Sequence, residues 1–168
     1  MKATAKAPSN IAFVKYWGKR DEKLNLPENG SISMNLSNMF TTTTVAFSKD
    51  FKKDFIFYNN KEKYHPKVSE HLDRLRQYAK INLKAKVVTK NNFPTGTGLS
   101  SSASGFAALT LAAVTAVGLR LSEKELSILA RQGSGSACRS IPDGYVEWLD
   151  GETSDTSYAV SLYPSNFW

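Results

Sequence analysis

Pro94-Thr-Gly-Thr-Gly-Leu-Ser-Ser-Ser-Ala-Ser-Gly-Phe106 places two glycines and a run of serines directly ahead of an alanine-rich segment. Gly96 and Gly98 tolerate positive φ and let a ligand approach the backbone. Ser100, Ser101 and Ser102 add hydroxyls that suit phosphate or magnesium. The helix that follows, read over Ser101–Leu119, supplies free N–H groups and the positive end of its dipole. Such a segment is either a polyphosphate cradle or a plain loop closed by a serine N-cap. It is not a P-loop, because no Gly-Lys-Ser/Thr follows, and its glycine spacing is not that of a dinucleotide fingerprint. The helix decides the fold. It is made mostly of alanine, leucine and valine, apolar on nearly every side, and belongs in the middle of its domain.

Working outward, Ile81, Leu83, Ala85 and Val87 alternate and predict a strand over 81–90. Pro66 opens a helix to about Ala79, with Val68, Leu72 and Leu75 as its buried stripe. Phe55–Tyr58, closed by Asn59-Asn60, reads as a strand, as do Thr41–Phe47 and Ser31–Ser37. Ala3–Ala12 reads as strand and loop broken at Pro8. Downstream, Ser122-Glu-Lys-Glu125 has the spacing of a capping box, and Gly133 ends the helix it starts. A short helical turn follows around Ser136–Ser140. Asp143-Gly144 is a turn, and Tyr145–Leu149 and Ala159–Tyr163 are further strands. The early strands look antiparallel, so the fold class is α+β, in one domain over residues 1–168.

The chain has 168 residues, 41% of them hydrophobic, enough for one domain with a real core. No apolar run is long enough to span a bilayer and no signal peptide is read at the start. The single cysteine, Cys138, excludes an intrachain disulfide and fits a reducing cytoplasm. The net charge of +7 comes from scattered lysines that line no periodic face. This favours a solvated basic surface or attraction of small anions over a nucleic-acid groove, for which no interleaved aromatic platform is evident.

Two further segments carry chemistry. In Ser9-Asn-Ile-Ala-Phe-Val-Lys-Tyr-Trp-Gly-Lys19, Lys15 and Lys19 flank Tyr16 and Trp17. A compact turn would aim both ammonium groups at an anion; the alternative is a surface lysine pair with Trp17 in the core. In Gly133-Ser-Gly-Ser-Ala-Cys-Arg-Ser140, Ser134 and Ser136 can hydrogen-bond ligand oxygens, and Arg139 offers a fork for carboxylate or phosphate. The alternative is a C-cap followed by an N-cap with Arg139 in solvent. Cys138 reads as a small buried residue rather than a nucleophile. His65 and His71 form no metal constellation and read as surface residues.

Taken together, these strings resemble the amino-terminal half of the mevalonate diphosphate decarboxylases of the GHMP kinase superfamily. The resemblance rests on Asn10-Ile-Ala, Lys15-Tyr-Trp-Gly-Lys-Arg20, Leu24-Asn-Leu-Pro27, Asn91-Asn-Phe-Pro-Thr95, Gly98-Leu99 and Ala130-Arg-Gln-Gly-Ser-Gly-Ser-Ala-Cys-Arg-Ser140, in order along the chain. It implies a ribosomal protein S5 domain 2-like fold with a left-handed β-α-β arrangement. It implies ATP and Mg2+ as cofactors, and ATP-dependent decarboxylation of mevalonate 5-diphosphate to isopentenyl diphosphate in the cytoplasm.

By position, the resemblance implies that Gly96, Gly98, Leu99, Ser100, Ser101 and Ser102 cradle the ATP phosphates, with Ser101 or Ser102 helping to hold magnesium. Lys15, Ser101 and Arg139 become the catalytic candidates. Tyr16, Trp17, Gly18 and Lys19 fall on the substrate's diphosphate side. Ser134, Gly135, Ser136, Ala137, Cys138 and Arg139 fall on the substrate, Arg139 at its carboxylate, with Asn10 orienting that region. Where relatives carry Pro-Thr-Ala-Ala-Gly-Leu-Ala-Ser-Ser, this chain has Pro94-Thr-Gly-Thr-Gly-Leu-Ser-Ser-Ser102. A substrate-binding arginine expected near the start of the Pro66 helix has Lys67 as its nearest match, which leaves a monophosphate substrate or simple 3-phosphorylation as variants. Family members are about twice as long, and the carboxylate acting on the substrate hydroxyl is expected in the other half. The expectation is a chain weak or inactive alone, partnered by a separate carboxy-terminal half or a second copy, with a silent binding module as the non-enzyme rival. No nucleic-acid or membrane partner is expected.

Overall fold

The computed structural model describes residues 1–94 and 101–167. One sheet carries the molecule. Its central strand, β4 (Ser31–Ser48), is far longer than the two separate strands expected from the sequence, and residues 38–40 join them. Along one edge it pairs antiparallel with β1 (Lys2–Val14). On its other edge its second half pairs with β7 (Lys84–Asn91) and its first half with β8 (Tyr145–Trp148). β5 (Phe55–Tyr58) joins β7 in parallel, β6 (Lys61–Glu62) closes a hairpin on β5, and β9 (Ala159–Tyr163) flanks β8. A small ribbon of β2 (Lys19–Asp21) and β3 (Leu26–Pro27) lies apart.

Pro8 does not break β1. The register slips between Pro8, opposite Phe40, and Ser9, opposite Leu36. Proline lacks an N–H, and a bulge on an edge strand is where that loss is tolerated. The hairpin from β5 to β6 turns at Asn59 and Asn60, both at positive φ (47° and 63°). Asparagine is the side-chain-bearing residue best suited to that region.

Three helices cover one face. α1 (Pro66–Ala79) opens with proline in its first turn and ends on Lys80 at φ 53°. α2 (Ser101–Ala116) lies between the sheet and the other helices, with Ala107, Ala108, Ala112 and Ala113 fully buried. Its alanines let the sheet approach on one side and neighbouring helices on the other, as its all-round apolarity requires. α3 (Glu123–Gly133) carries the expected capping box, with Ser122 accepting from the Glu125 N–H and Glu125 accepting from the Ser122 N–H at 2.7 Å. A 3₁₀ turn over Gly135–Ser140 follows. The main core joins Ala7, Val45, Phe47 and Val87 of the sheet to Leu72, Leu75, Phe106 and Leu109 of the helices. A second, smaller cluster surrounds Trp148, Val146 and Cys138.

His71 corrects the expectation of a surface histidine. It is 0% exposed, its Nε2 is 2.8 Å from Thr110 Oγ1, and its ring meets Phe106 edge-on. Burial, aided by the nearby Arg74 charge, pushes its pKa down to about 3, so it is neutral. His71 stands three residues after Val68 and four before Leu75, on the same helical face as the apolar stripe, so the helical period that buries the stripe buries His71 with it.

Candidate active site

Two cavities meet at the start of α2. The first, about 370 Å³, is walled mainly by apolar atoms. It runs between the sheet residues Thr43, Ile56, Tyr58 and Val87 and the helix residues Val68 and Phe106. The buried Tyr58 hydroxyl there has no hydrogen-bond partner among the described residues. The second cavity, about 580 Å³, is polar, with Tyr16, Lys19, Arg74, Gln132, Ser134 and Gly135 in its wall. His65, Ser102 and Phe106 line both. A ligand in each cavity would therefore face the other across the first turn of α2.

Of the phosphate-loop candidates, Gly96, Gly98, Leu99 and Ser100 lie outside the described residues. Ser101 and Ser102 form the first turn of α2, Ser101 half-buried and Ser102 exposed. No acidic residue stands in that turn to repel phosphate. Among the described residues no group of three or more His, Cys, Asp or Glu side chains is placed to hold a metal. The hydroxyls of Ser101 and Ser102, together with phosphate oxygens, are the donor set magnesium would find here.

The Lys15–Lys19 segment is a turn between β1 and β2, held by one side chain. Asn29 donates to the Lys15 carbonyl (3.1 Å) and accepts from the Trp17 N–H (3.1 Å). Gly18, at φ +86°, needs glycine's conformational freedom. Tyr16 and Lys19 reach the polar cavity, and Lys19 is paired with Glu22 at 3.0 Å. Trp17 is 75% exposed rather than in the core, and Lys15, Trp17 and Gly18 do not line the cavity.

The 3₁₀ turn is the most constrained part. Arg139 is 3% exposed, contrary to the alternative that left it in solvent, and it lines neither cavity. Its Nη1 donates to Ser31 Oγ (2.7 Å) and its Nη2 to Asn10 Oδ1 (3.2 Å). Its guanidinium sits 5.9 Å from the Tyr16 ring centre and 5.8 Å from that of Trp148. Asn10 donates in turn to Ser140 Oγ (2.8 Å) and the Ser136 carbonyl (3.1 Å). Among the described residues Arg139 Nε has no hydrogen-bond partner and no carboxylate pairs with the guanidinium. Burial lowers its pKa from the usual arginine value. A desolvated cation with an unmatched donor is an arrangement proteins keep for an anion.

The other side chains of this stretch divide. Ser134 and Gly135 line the cavity; Ser136 is half-buried, with its carbonyl on Asn10. Ala137 and Cys138 are fully buried, so a ligand would reach only their backbone. Burial drives the Cys138 thiol up to about 12, and its Sγ sits 3.0 Å from the Gly135 carbonyl, so it is no nucleophile. Arg131, also fully buried, is spent on the carbonyls of Leu24, Ser154 and Ser157 and on Ser154 Oγ. Asp143 lies in the expected turn, beside Gly144 at positive φ, and Asp150 lies in the loop after β8, where its Oδ1 accepts from the Gly151 N–H.

Sequence reasoning missed Lys23, Glu70 and Arg74 in the polar cavity, and Asn25, which ties the β2–β3 ribbon to the Arg131 and Gln132 carbonyls at 3.1 Å each. Lys67, Glu70 and Arg74 share one face of α1 at helical spacing, a polar stripe beside the apolar one.

An α+β domain of this topology is the GHMP kinase fold of its structural neighbours. The Diphosphomevalonate decarboxylase-like N-terminal domain matches residues 7–159, and the chain belongs to that family. It is 44% identical to the diphosphomevalonate decarboxylase of Bos taurus, over 98% of this chain and 46% of that protein. Against the Saccharomyces cerevisiae protein the identity is 42%, over 99% and 46%. The chain thus spans about half the length of the curated relatives it matches. Among solved structures, the Enterococcus faecalis mevalonate diphosphate decarboxylase superposes with a TM-score of 0.94 at 44% identity, covering 99% of this chain and 53% of that one. A structure described as MDDEF in complex with MVAPP, AMPPCP and magnesium gives 0.93 at 44%, over 97% and 51%.

Proposed function

We propose that this chain forms the nucleotide-phosphate and substrate-carboxylate part of an ATP-dependent mevalonate 5-diphosphate decarboxylase. The observation that carries the reading is the meeting of two chemically distinct cavities at the first turn of α2, with His65, Ser102 and Phe106 common to both. The apolar cavity suits a nucleoside. The cation-lined cavity suits a small polyanion. Phosphoryl transfer needs the attacking oxygen in line with the leaving oxygen at phosphorus, and a helix N-terminus is a ready electrostatic anchor for the phosphates. The names of the matched relatives point to the same reaction.

In this reading ATP phosphorylates the tertiary hydroxyl of the substrate. The new phosphate then leaves as the carboxylate is lost as carbon dioxide, giving isopentenyl diphosphate, ADP and phosphate. Magnesium, when bound with the nucleotide, screens the negative charge of the two polyanions. Ser101 and Ser102 would hold the phosphate–magnesium end of the nucleotide. Arg139, held by Ser31 and Asn10 and lining neither cavity itself, would act on the substrate carboxylate as a buried charge behind Tyr16, which does line the polar cavity. Tyr16 and Ser134 would wall the substrate, and Lys19, with Lys15 nearby in the chain, would add positive charge. Asn10 orients Arg139 rather than the ligand.

Arg139→Lys tests this directly. It keeps one charge but loses the fork. Calorimetric titration should show mevalonate 5-diphosphate binding weakened about tenfold or more, roughly 1.4 kcal/mol, with magnesium-nucleotide binding retained and an unchanged circular dichroism spectrum. Substrate binding equal to that of the unaltered chain would contradict the carboxylate role.

A further inference from the structure

The polar cavity is lined by four cations, Lys19, Lys23, Lys67 and Arg74, against two acids, Glu22 and Glu70. Their circumstances differ. Lys19 is paired with the exposed Glu22 at 3.0 Å. Lys67 lies in the first turn of α1, close in sequence to His65, which borders both cavities. Arg74 lies two helical turns further along the same face, about 10 Å at 1.5 Å per residue.

α1 runs alongside α2, away from the transfer point. His65 shares its cavities with Ser102, and further along α1 His71 contacts Thr110 and Phe106. By Arg74, the facing element is the end of α3, where Arg74 Nη1 donates to the Gln132 carbonyl at 3.0 Å. That one bond aims the guanidinium, and among the described residues no carboxylate lies within ion-pair distance of it. Among the described residues the fork's remaining N–H groups make no other hydrogen bond, and they can take two oxygens of one phosphate.

From this placement we infer that Arg74 is the specificity-determining residue that selects a diphosphate over a monophosphate at the far end of the polar cavity. Lys67, nearer the transfer point, meets the first phosphate of a substrate extending along α1, and only a second phosphate reaches Arg74. The inference rests on the substrate reading above and deepens it. An arginine two turns into α1 thus supplies the fork that Lys67 lacks.

The test measures dissociation constants for mevalonate 5-phosphate and mevalonate 5-diphosphate by calorimetry on the unaltered chain, Arg74→Gln, Arg74→Lys and Arg139→Lys. Thermal melts show that each variant is folded. The unaltered chain should prefer the diphosphate about tenfold or more. Arg74→Gln should lose most of that preference by weakening the diphosphate alone, and Arg74→Lys should recover part of it. Arg139→Lys should weaken both ligands equally, since both carry the carboxylate. Equal weakening of the two ligands by Arg74→Gln, or no effect on either, overturns the inference while leaving the substrate reading intact. Failure of the unaltered chain to bind either ligand overturns both.

Discussion

Among single residues, Arg139 and His71 show how burial gives opposite meanings to two basic side chains. Arg139 stays charged because arginine's pKa starts so high that burial cannot neutralise it, and its unmatched Nε then marks a site. His71 yields its proton instead, and its neutral ring serves packing. The sign of the consequence is definite. Its folded pKa of about 3 lies below the unfolded value near 6.5, so between these values the unfolded state binds more protons. Its contribution is full above pH 6.5 and is lost as the pH falls towards 3, by up to about 1.4 kcal/mol per pH unit. His71→Phe removes this, and the Thr110 hydroxyl keeps its bond to the Phe106 carbonyl at 2.8 Å. Urea unfolding at pH 4 and pH 7 should therefore show a smaller pH dependence in the variant. An equal dependence in both chains would refute the buried neutral state. The position of His71 on the apolar face was legible from the helical period, but its neutral state was not. A lone histidine between apolar helical positions gives no sign of which neighbours close over it.

At the scale of elements, the three helices converge on Gly133. A Cβ there would stand 2.5 Å from Phe106 Cδ1 and 2.9 Å from His71 Nδ1. The sequence presented this glycine as a helix terminator, and it does end α3, but the closer constraint is the room it leaves for α1 and α2. Gly133→Ala should destabilise the fold by about 1–3 kcal/mol through overpacking. A denaturation midpoint unchanged or raised would show that the helices shift apart at no cost. The elements that local chemistry specifies were legible: Pro66 at the start of α1, the Ser122–Glu125 capping box and the Asn59-Asn60 turn. The continuity of β4 was not. The gap after Ser37 read as a break because Asn38 is of a type common in turns and loops. Pairing with β1 on one edge and with β7 and β8 on the other carries the strand through, which is tertiary context overriding propensity.

At the scale of the molecule, α2 is both the hydrophobic axle of the domain and the divider of its two cavities. The first role was legible from composition, since a helix without a polar face must be enclosed. The second was only half legible. The serines at its start suggested phosphate, and the Lys15–Lys19 and Gly133–Ser140 strings suggested an anion, but the segments are distant in sequence. Only the long-range register of β1 on β4, and the packing of the 3₁₀ turn behind Asn10, brings them to one place. The polar stripe of α1 was overlooked because charges on a helix are ordinarily solvated.

The central claim is that two ligands meet at the first turn of α2, and backbone amide NMR of the chain tests it most directly. Titration with a magnesium-nucleotide analogue should shift the apolar cavity (Ile56, Tyr58, Val87), and titration with mevalonate 5-diphosphate the polar one (Tyr16, Lys19, Ser134). Both series should saturate, and they should overlap at His65, Ser102 and Phe106. Saturable shifts with no overlap at those three residues, or no saturable shift with either ligand, would contradict it.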